Sequence, residues 1–323
     1  MIISKTPLRI SFIGGGSDIV RKDQKKIGSV ISTTIDKYVY VIVNKKSDKK
    51  IRISYSKTEN ENSLNKIKHP IIKACLELFD IKNSIEIVTV ADIPSKGSGL
   101  GSSSSLTVGL IKALCAYKKK NISKYALAKL AYYVESKILK KTLGYQDHFN
   151  AAYGGFNYFK FYKNHKVTTK SIDLKKKIIQ EFKKNLILID TGKFRLANTI
   201  LKNLPKKKNN SSLDFLSNLV KQFNVNLINK NFEEIGKMID LSWNIKKKLD
   251  KKISNRQLDK IYEIAKKNGA IGGKILGAGG GGYFLFFAKP KFQKKIVSAL
   301  NKYKVIDFSF SYTGSEIIYN DTN

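Results

Sequence analysis

Apolar and polar residues follow two periodicities along the chain, and both occur in each half. Alternating or continuous runs rich in β-branched residues predict strands at residues 8–13, 28–36, 37–44, 51–55, 84–90, 185–190, 283–287 and around 305–312. Helical spacing predicts helices at residues 67–79, 102–118, 123–139, 174–182, 196–204, 213–223, 232–249, 257–268 and 292–302. Because strands and helices are mixed in both halves, the pattern predicts the α+β class.

The length of 323 residues allows a sizeable core and two domains. A turn followed by a strand is predicted over residues 151–161, and the short polar residues of 163–171 come next. We therefore place a boundary there, with an N-terminal domain at 1–165 and a C-terminal domain at 166–323. A second polar stretch, residues 205–211, predicts a mobile linker inside the second domain.

One glycine- and serine-rich stretch, residues 91–106, joins the predicted strand 84–90 to the helix that follows. Gly97, Gly99 and Gly101 allow positive φ angles and leave no side chain in the way of a ligand. Their N–H groups, together with the unpaired N–H groups of a helix start, form a cradle for an anion. The neighbouring serines are candidates to cap that helix. The stretch therefore predicts a phosphate-binding loop.

Two common nucleotide-binding loops do not fit this stretch. A Walker A loop ends in Lys followed by Ser or Thr, whereas Gly101 runs directly into serines. A dinucleotide-binding loop needs its third glycine one position later and an acidic residue about twenty positions on, where this chain has Lys-Lys-Lys-Asn at 118–121. A flexible linker is the remaining alternative, but a linker would not be flanked by a buried strand and an apolar helix.

The formal net charge of +36 is carried almost entirely by lysine. Binding to nucleic acid, to an anionic membrane surface or to an acidic substrate would each suit this charge. Specific nucleic-acid recognition favours arginine, however, and the sequence has no zinc-finger, RNP or helix-turn-helix pattern. We therefore favour a lysine-coated enzyme without a specific nucleic-acid partner, for which salt-sensitive adhesion to polyanions is a side effect.

Cysteine use and hydropathy indicate a soluble protein of a reducing compartment. Cys75 and Cys115 lie far apart in apolar, helix-like runs, so we expect two buried free thiols and a cytoplasmic location. No apolar run is long enough to span a bilayer, and the first residues lack a signal-peptide pattern. The histidines are not spaced as zinc ligands, and we expect His148 to be structural or exposed.

Three motifs, spread from residue 6 to residue 282, resemble those of the GHMP kinases, the superfamily of galactokinase, homoserine kinase and mevalonate kinase. They are residues 6–18, the phosphate loop with Pro94 and Gly-Leu-Gly-Ser-Ser at 99–103, and residues 274–282. The resemblance implies a ribosomal-protein-S5-like N-terminal domain and a ferredoxin-like C-terminal domain, with ATP and substrate in the cleft between them. Gly-Gly-Gly-Ser-Asp at 14–18 is similar to the branch of D-glycero-D-manno-heptose 7-phosphate kinases and the fucokinase domain. Residues 144–148, 154–158 and 191–195 resemble the heptose-phosphate kinases as well.

For that branch the implied reaction is ATP-dependent phosphorylation of the C1 hydroxyl of heptose 7-phosphate to the 1,7-bisphosphate. The product would supply nucleotide-activated heptose for surface polysaccharide. The implied cofactors are ATP and Mg²⁺, and the implied partner is a small sugar phosphate. Two alternatives stay open: a GHMP kinase for a free sugar such as fucose or galactose, and a polyanion-binding protein on an inactive kinase fold. The sequence leaves the oligomeric state open, with a homodimer as one candidate.

The resemblance assigns roles to residues at the ATP end of the cleft. The phosphate-binding residues are Gly97, Ser98, Gly99, Leu100, Gly101, Ser102 and Ser103. Ser103 and Glu135 match the Mg²⁺ ligands. Asp147 matches the catalytic base that accepts the proton of the attacking hydroxyl, and Arg9 matches the basic residue that keeps this carboxylate ionised. From the residues alone, Glu135 also suits a helix-surface carboxylate and Asp147 also suits a helix N-cap.

The substrate side of the cleft takes eight residues: Gly15, Gly16, Ser17, Asp18, Lys193, Arg195, Gly279 and Gly280. Asp18 matches an aspartate that binds sugar hydroxyls, and a turn aspartate is the alternative. Lys193 and Arg195 follow a buried strand and a Thr-Gly turn, and we expect them to hold the phosphate of the sugar because Lys and Arg are the usual clamps for a dianion. Surface charge is the alternative for both. The glycines of the third motif would close over the substrate or would only allow tight backbone packing.

Overall fold

The computed structural model describes residues 1–21, 23–24, 26–94, 97–193, 198–202 and 210–321. The strands within these ranges are β1 Ile2–Ile13, β2 Gly28–Lys45, β3 Ile51–Ser54, β4 Thr58–Glu61, β5 Ile85–Ala91, β6 Asn157–Phe161, β7 Val167–Ser171, β8 Leu186–Asp190, β9 Gly272–Ile275, β10 Tyr283–Phe287, β11 Phe310–Ser311 and β12 Glu316–Asn320. The helices are α1 Pro70–Leu78, α2 Ser102–Tyr117, α3 Lys124–Tyr133, α4 Gln146–Tyr153, α5 Lys176–Lys183, α6 Asn198–Leu201, α7 Asn210–Ile228, α8 Phe232–Leu249, α9 Arg256–Lys267 and α10 Pro290–Ala299. A 3₁₀ turn at Leu64–Lys66 and a π turn at Val134–Ile138 are also present.

Nine of the described strands form one sheet with the order β12-β1-β2-β5-β3-β4; β11 and β6 also pair with β2, and β7 pairs with β6. The pair β3–β5 is parallel and the others are antiparallel. β2 is a single strand of 18 residues where the pattern predicted two. It stays continuous because β1 pairs along it from Ile2 to Ile13, with a register shift at Pro7/Leu8 that absorbs the irregularity.

The second half of the chain contains a three-stranded antiparallel sheet with the order β8-β10-β9. Here α8 and β10 have the predicted bounds. Phe12 at the end of β1 contacts Phe182 of α5 and Phe223 of α7, with ring centroids 5.2 and 6.1 Å apart. The two halves therefore share apolar packing next to the end of β1. Helices and strands mix in both halves, and the predicted α+β class is confirmed.

The domain boundary at residue 165 stays a prediction. Two strands that follow residue 165 pair with strands that precede it. β7 lies after that residue and pairs with β6, while β12 near the end of the chain pairs with β1. The sequence did not predict β12, since Ile318 and Tyr319 are exposed and an edge strand carries little hydrophobic pattern. Residues 205–209 of the predicted linker, and all but 198–202 of the predicted helix 196–204, lie outside the described residues; Asn210 begins α7.

Helix α2 packs directly against β1, and the first turn of α2 therefore lies next to Arg9 of that strand. A Cβ on Gly109 would lie 2.6 Å from Thr6 Oγ1, so only glycine allows this approach. Gly101 is the N-cap residue, with φ +81°, and no side chain caps the helix. The expectation that a serine caps α2 is wrong, because a left-handed glycine holds that position against the Arg9 side chain.

Candidate active site

The three sequence motifs meet at the start of α2. Arg9 N of the first motif donates a hydrogen bond to Leu100 O of the phosphate loop at 2.9 Å. In the third motif, a Cβ on Gly277 would lie 2.6 Å from Gly99 Cα, and Gly282 packs in the same way against Ser98. The phosphate loop is therefore held between the first and third motifs, and the contact with the third motif requires glycine.

The phosphate loop has the backbone conformation that an anion cradle needs. Gly97, Gly99 and Gly101 have φ angles of +69°, +75° and +81°. The first N–H groups of α2 have no partner within the helix, and the positive end of the helix dipole adds to them. The hydroxyls of Ser98 and Ser102 lie 2.7 Å apart inside the loop and brace it. Residues 95 and 96 of this stretch lie outside the described residues.

A bidentate ion pair joins Arg9 to Asp147 beside the phosphate loop. Arg9 Nε donates to Asp147 Oδ1 at 2.8 Å and Nη2 donates to Oδ2 at 2.9 Å, while Nη1 donates to Gly99 O. The Arg9 side chain is 3% exposed and that of Asp147 is 28% exposed. A carboxylate that reaches solvent is thus fixed by a buried guanidinium. Asp147 lies in the first turn of α4, whose N-cap residue is Tyr145, so it is not the N-cap.

Glu135 is a buried carboxylate with four side-chain partners. Ser103 Oγ donates to Oε2 at 2.7 Å, Thr107 Oγ1 donates to Oε1 at 3.0 Å, Lys141 Nζ donates to Oε2 at 2.7 Å, and His148 Nε2 lies 3.1 Å from Oε1. Burial would raise the pKa of Glu135, but the hydrogen bonds and charges of His148 and Lys141 outweigh it and hold this pKa well below its usual range. Glu135 is therefore ionised and inside the protein, and the helix-surface alternative is wrong.

Glu135 is carried on the π turn that continues α3, in which Leu139 N donates to Val134 O at 3.0 Å. Such turns change the direction of a side chain and recur at functional sites.

The oxygens of Glu135 and Ser103 already contact a cation in the free protein. Lys141 Nζ lies 2.7 Å from Glu135 Oε2 and 3.3 Å from Ser103 Oγ. Carboxylate and hydroxyl oxygens are the donors that Mg²⁺ prefers, and these two residues fit that ion. Among the described residues, no three His, Cys, Asp or Glu side chains are grouped so that they could hold a metal ion. His148 is fully buried, which leaves it the structural role.

Asp18 is buried beneath the glycine turn and ties it to the start of α4. Gly16 N donates to Asp18 Oδ1 at 2.9 Å, and Gln146 N donates to Oδ2 at 3.3 Å. Burial and then the charge of Asp147 raise the pKa of Asp18, against the effect of these backbone hydrogen bonds. The carboxylate thus connects the first motif to the helix that carries Asp147.

The other residues of the glycine turn differ in what they face. Ser17 Oγ donates to Ser29 O at 2.9 Å and accepts from Ser29 N at 3.0 Å, so it holds the turn from inside. Gly15 lies between Ser11 Oγ and the amide of Gln146. Ser11 Oγ and Gln146 Oε1 are buried without a hydrogen-bond partner in the described part of the chain. The sequence pattern indicated neither residue, although Gln146 stands next to Asp147.

The remaining predicted substrate residues lie around the third motif. Lys193 is exposed, and its carbonyl accepts a hydrogen bond from that motif at 2.6 Å. Gly279 and Gly280 pack against Ile253, whose carbonyl accepts from Gly280 N at 2.8 Å. This geometry matches the alternative of tight backbone packing. Arg195 lies outside the described residues.

Two buried lysines complete the charged groups of the site. Lys274 Nζ donates to Phe12 O at 3.1 Å, and Lys246 Nζ donates to Gly277 O. Lys274 belongs to the third motif, whereas Lys246 went unnoticed in the sequence because it stands in a run of three lysines. Only its place on the apolar face of the predicted helix 232–249 could have revealed it.

The phosphate loop, the fixed carboxylate of Asp147 and the oxygens of Ser103 and Glu135 suit transfer of a phosphoryl group. Comparisons with known proteins show the class of protein, an ATP-dependent phosphotransferase with an alcohol group as acceptor. Residues 65–155 match the family profile described as GHMP kinases N terminal domain, and residues 223–306 match GHMP kinases C terminal. The chain belongs to the GHMP kinases. None of its described helices is long and apolar enough to cross a membrane.

Individual relatives narrow the resemblance. The chain is 34% identical to the D-glycero-alpha-D-manno-heptose 7-phosphate kinase of Campylobacter jejuni, over 97% of each protein. It is 27% identical to the bifunctional fucokinase/GDP-fucose pyrophosphorylase of Arabidopsis thaliana, over 90% of this chain and 30% of that protein. The crystal structure of a D-glycero-D-manno-heptose 1-phosphate kinase from Bacteroides thetaiotaomicron matches with a TM-score of 0.83 and 25% identity, covering 99% of this chain and 100% of that one.

Proposed function

We propose that this kinase phosphorylates the anomeric hydroxyl of D-glycero-D-manno-heptose 7-phosphate, with ATP and Mg²⁺, to give the 1,7-bisphosphate. The observation that carries the proposal is the Arg9–Asp147 ion pair, which presents a carboxylate to solvent next to the phosphate loop. The Campylobacter relative supports a heptose phosphate as the acceptor. The glycines at residues 14–16, which carry no side chain, agree with a substrate larger than a hexose.

In the proposed reaction, Asp147 accepts the proton of the C1 hydroxyl while the hydroxyl oxygen attacks the γ-phosphorus of ATP. The bond from that phosphorus to the β,γ-bridging oxygen breaks, and ADP leaves with the electron pair. Each Asp147 oxygen accepts one hydrogen bond from Arg9, so lone pairs remain for the substrate. Arg9 orients the carboxylate and places positive charge beside the transferred group.

Mg²⁺ would be held by Ser103 and Glu135, where Lys141 supplies positive charge in the free protein. Bound there, the ion would neutralise charge on the phosphates of ATP. Thr107 and His148 hold the other oxygen of Glu135 and so fix the orientation of the carboxylate.

The sugar would lie close to Gly15 and Gly16, beneath which Ser11 Oγ and Gln146 Oε1 are buried without a hydrogen-bond partner among the described residues. Asp18 would set the position of this surface through its bonds to the turn and to α4. Lys193 and Arg195 would hold the 7-phosphate, as the sequence suggested.

The test is ADP release from ATP and Mg²⁺ with a panel of acceptors: D-glycero-D-manno-heptose 7-phosphate, the same heptose without phosphate, mannose, fucose and galactose. We expect turnover with the heptose 7-phosphate, a new anomeric phosphate in the ³¹P NMR spectrum, and loss of about two to four orders of magnitude in kcat for Asp147→Asn. Equal turnover of free hexoses would reject the proposed acceptor. An Asp147→Asn variant as fast as the wild type would reject the proposed base.

A further inference from the structure

Among the residues that the structure describes, Lys246 and Lys274 are the only buried lysines, with exposed fractions of 5% and 2%. Each donates a hydrogen bond to a backbone carbonyl, and neither forms an ion pair with a carboxylate within that part of the chain. An ammonium has three N–H donors, so both retain capacity to bind further acceptors. Most lysines of this protein lie on its surface, so two buried lysines without a carboxylate partner need an explanation.

Both lysines lie at the point where the three motifs meet. Lys246 extends from α8 to Gly277, which packs on Gly99 of the phosphate loop. Lys274 extends from β9 to Phe12, two residues before the glycine turn. The two carbonyls that accept these hydrogen bonds therefore lie next to the phosphate loop and next to the glycine turn, which are the proposed ATP side and acceptor side of one site.

The charges around the two lysines do not balance. Lys246 interacts electrostatically with Arg9, Asp18 and Asp147, and Lys274 interacts with Lys246, Arg9 and Asp18. Arg9 and Asp147 already satisfy one another as a bidentate pair. Three cations therefore face two carboxylates in a buried region, and an unpaired buried cation is costly unless an anion joins it.

Burial, and then repulsion from Arg9, lower the pKa of Lys246 to about 8, although Asp18 and Asp147 act in the opposite direction. Burial lowers the pKa of Lys274 well below its usual value, with repulsion from Lys246 and Arg9 as the next causes. A bound dianion would reverse these effects and keep both groups protonated. The free protein is thus arranged for an anion that it does not itself contain.

We propose that Lys246 and Lys274 form a phosphoryl-binding pair beside Arg9 and Asp147. The phosphoryl group has two sources in the reaction: the γ-phosphoryl of ATP during transfer, or the phosphate carried by the acceptor. The first source rests only on kinase activity. The second rests on the acceptor proposed above, and Lys246 and Lys274 would then take the place given there to Lys193 and Arg195 as holders of its phosphate. In either case the pair neutralises charge that the Arg9 guanidinium alone does not.

The experiment uses the full chain with Lys246→Met and Lys274→Met, which keep an unbranched side chain one atom shorter and remove the charge. Lys248→Met, at an exposed position on the same helix, is the matched control. kcat and KM are measured with the best acceptor found in the panel, and with the same sugar with and without its phosphate. Melting temperatures are recorded for all variants. Lys246→Gln and Lys274→Gln, which keep an N–H donor for the carbonyl, replace any Met variant that does not fold.

The two sources give different results. If the pair binds the γ-phosphoryl group, kcat falls about tenfold or more for every acceptor, while Lys248→Met behaves as the wild type. If the pair binds the acceptor phosphate, KM rises about tenfold or more for the phosphorylated sugar alone, and the preference for it disappears. Folded variants with kcat and KM within about twofold of the wild type overturn the proposal, as does a loss of activity that only follows a fall in melting temperature. If the wild type uses only free sugars, heptose 7-phosphate is not its acceptor. The effect of the two Lys→Met substitutions on kcat then still decides whether the pair binds the γ-phosphoryl group.

Discussion

At the scale of single residues, the site depends on carboxylates that are held by specific partners. Asp147 is fixed by a buried guanidinium, Glu135 by four side chains and Asp18 by backbone N–H groups. Each carboxylate therefore has one orientation, which is what transfer of a proton or binding of a cation requires. The partners also explain why the pKa of Glu135 is lowered while burial keeps the pKa of Asp18 raised.

Arg9→Lys tests whether the geometry of the ion pair matters beyond its charge. A lysine keeps the positive charge but cannot form two parallel hydrogen bonds, so Asp147 would lose its fixed orientation. We expect kcat to fall about tenfold to a hundredfold with little change in the KM for ATP. Steady-state kinetics at saturating Mg²⁺ measure both quantities. An unchanged kcat would mean that charge alone suffices.

The buried charge of Lys246 predicts a pH-dependent difference in stability between the wild type and Lys246→Met. The folded pKa of about 8 lies below the value of 10.5 for an unperturbed lysine, so below about pH 8 the folded state carries the full cost of the buried charge. Between these two values the unfolded chain binds a proton that the folded chain lacks, and the free energy of unfolding of the wild type rises with pH.

We therefore expect Lys246→Met to be more stable than the wild type at pH 7, by an amount on the order of 3 kcal/mol less the lost hydrogen bond. This advantage should shrink as the pH rises from 8 towards 10. Urea unfolding of both proteins at several pH values measures the gap, and the titration of all other groups cancels in the difference. A gap that stays constant over this range would contradict a charged, buried Lys246.

At the scale of elements, short turns and helix ends position the side chains of the candidate site. The π turn at Val134–Ile138 places Glu135 opposite Ser103, and Gly101 starts α2 in a left-handed conformation under Arg9. The helix α4 is held to the glycine turn through Asp18. Substitutions in these turns and contacts should lower kinase activity although they leave Arg9, Glu135 and Asp147 unchanged.

Gly144→Ala is such a change. A Cβ at this position would overlap the carboxylate of Asp18, so either Asp18 or the start of α4 must move, and Asp147 moves with it. We expect a loss of about 1–3 kcal/mol in the free energy of unfolding together with a lower kcat. Gly15→Ala is the control for stability, because its Cβ would lie at 3.4 and 3.7 Å from its neighbours and should leave the melting temperature unchanged. Similar melting temperatures for both variants would argue against this account of Gly144.

The elements also show how far the sequence could predict this protein. α8 and β10 were predicted with their exact bounds because long periodic or continuous apolar runs leave little choice. α4 was missed because it has only eight residues and buries polar ones, Gln146, His148 and Asn150, which interrupt the apolar periodicity that predicts a helix. Motif resemblance supplied Arg9 and Asp147, whereas Lys246 became visible only when folding buried it away from its lysine neighbours.

At the scale of the whole molecule, the apolar packing around Phe12 joins the two halves next to the candidate active site. Lys274 also crosses from the second sheet to the carbonyl of Phe12, so the site is assembled from both halves. Within this region the charged groups are few and each has a defined position, whereas all other lysines of the described residues are exposed or half-buried. The surface charge and the catalytic charge should therefore be separable by experiment.

Binding to a duplex of random sequence tests that separation. Exposed lysines release counterions from DNA, so we expect binding that does not depend on base sequence and that weakens steeply between about 50 and 200 mM salt. Asp147→Asn should bind DNA as the wild type does while losing kinase activity, because it changes the partner of the buried Arg9 and leaves the exposed lysines in place. Fluorescence anisotropy over a salt series, with two unrelated duplexes, measures this. Sequence-dependent or salt-resistant binding would instead mean that the lysine surface recognises a nucleic acid, and the charge could no longer be assigned to composition alone.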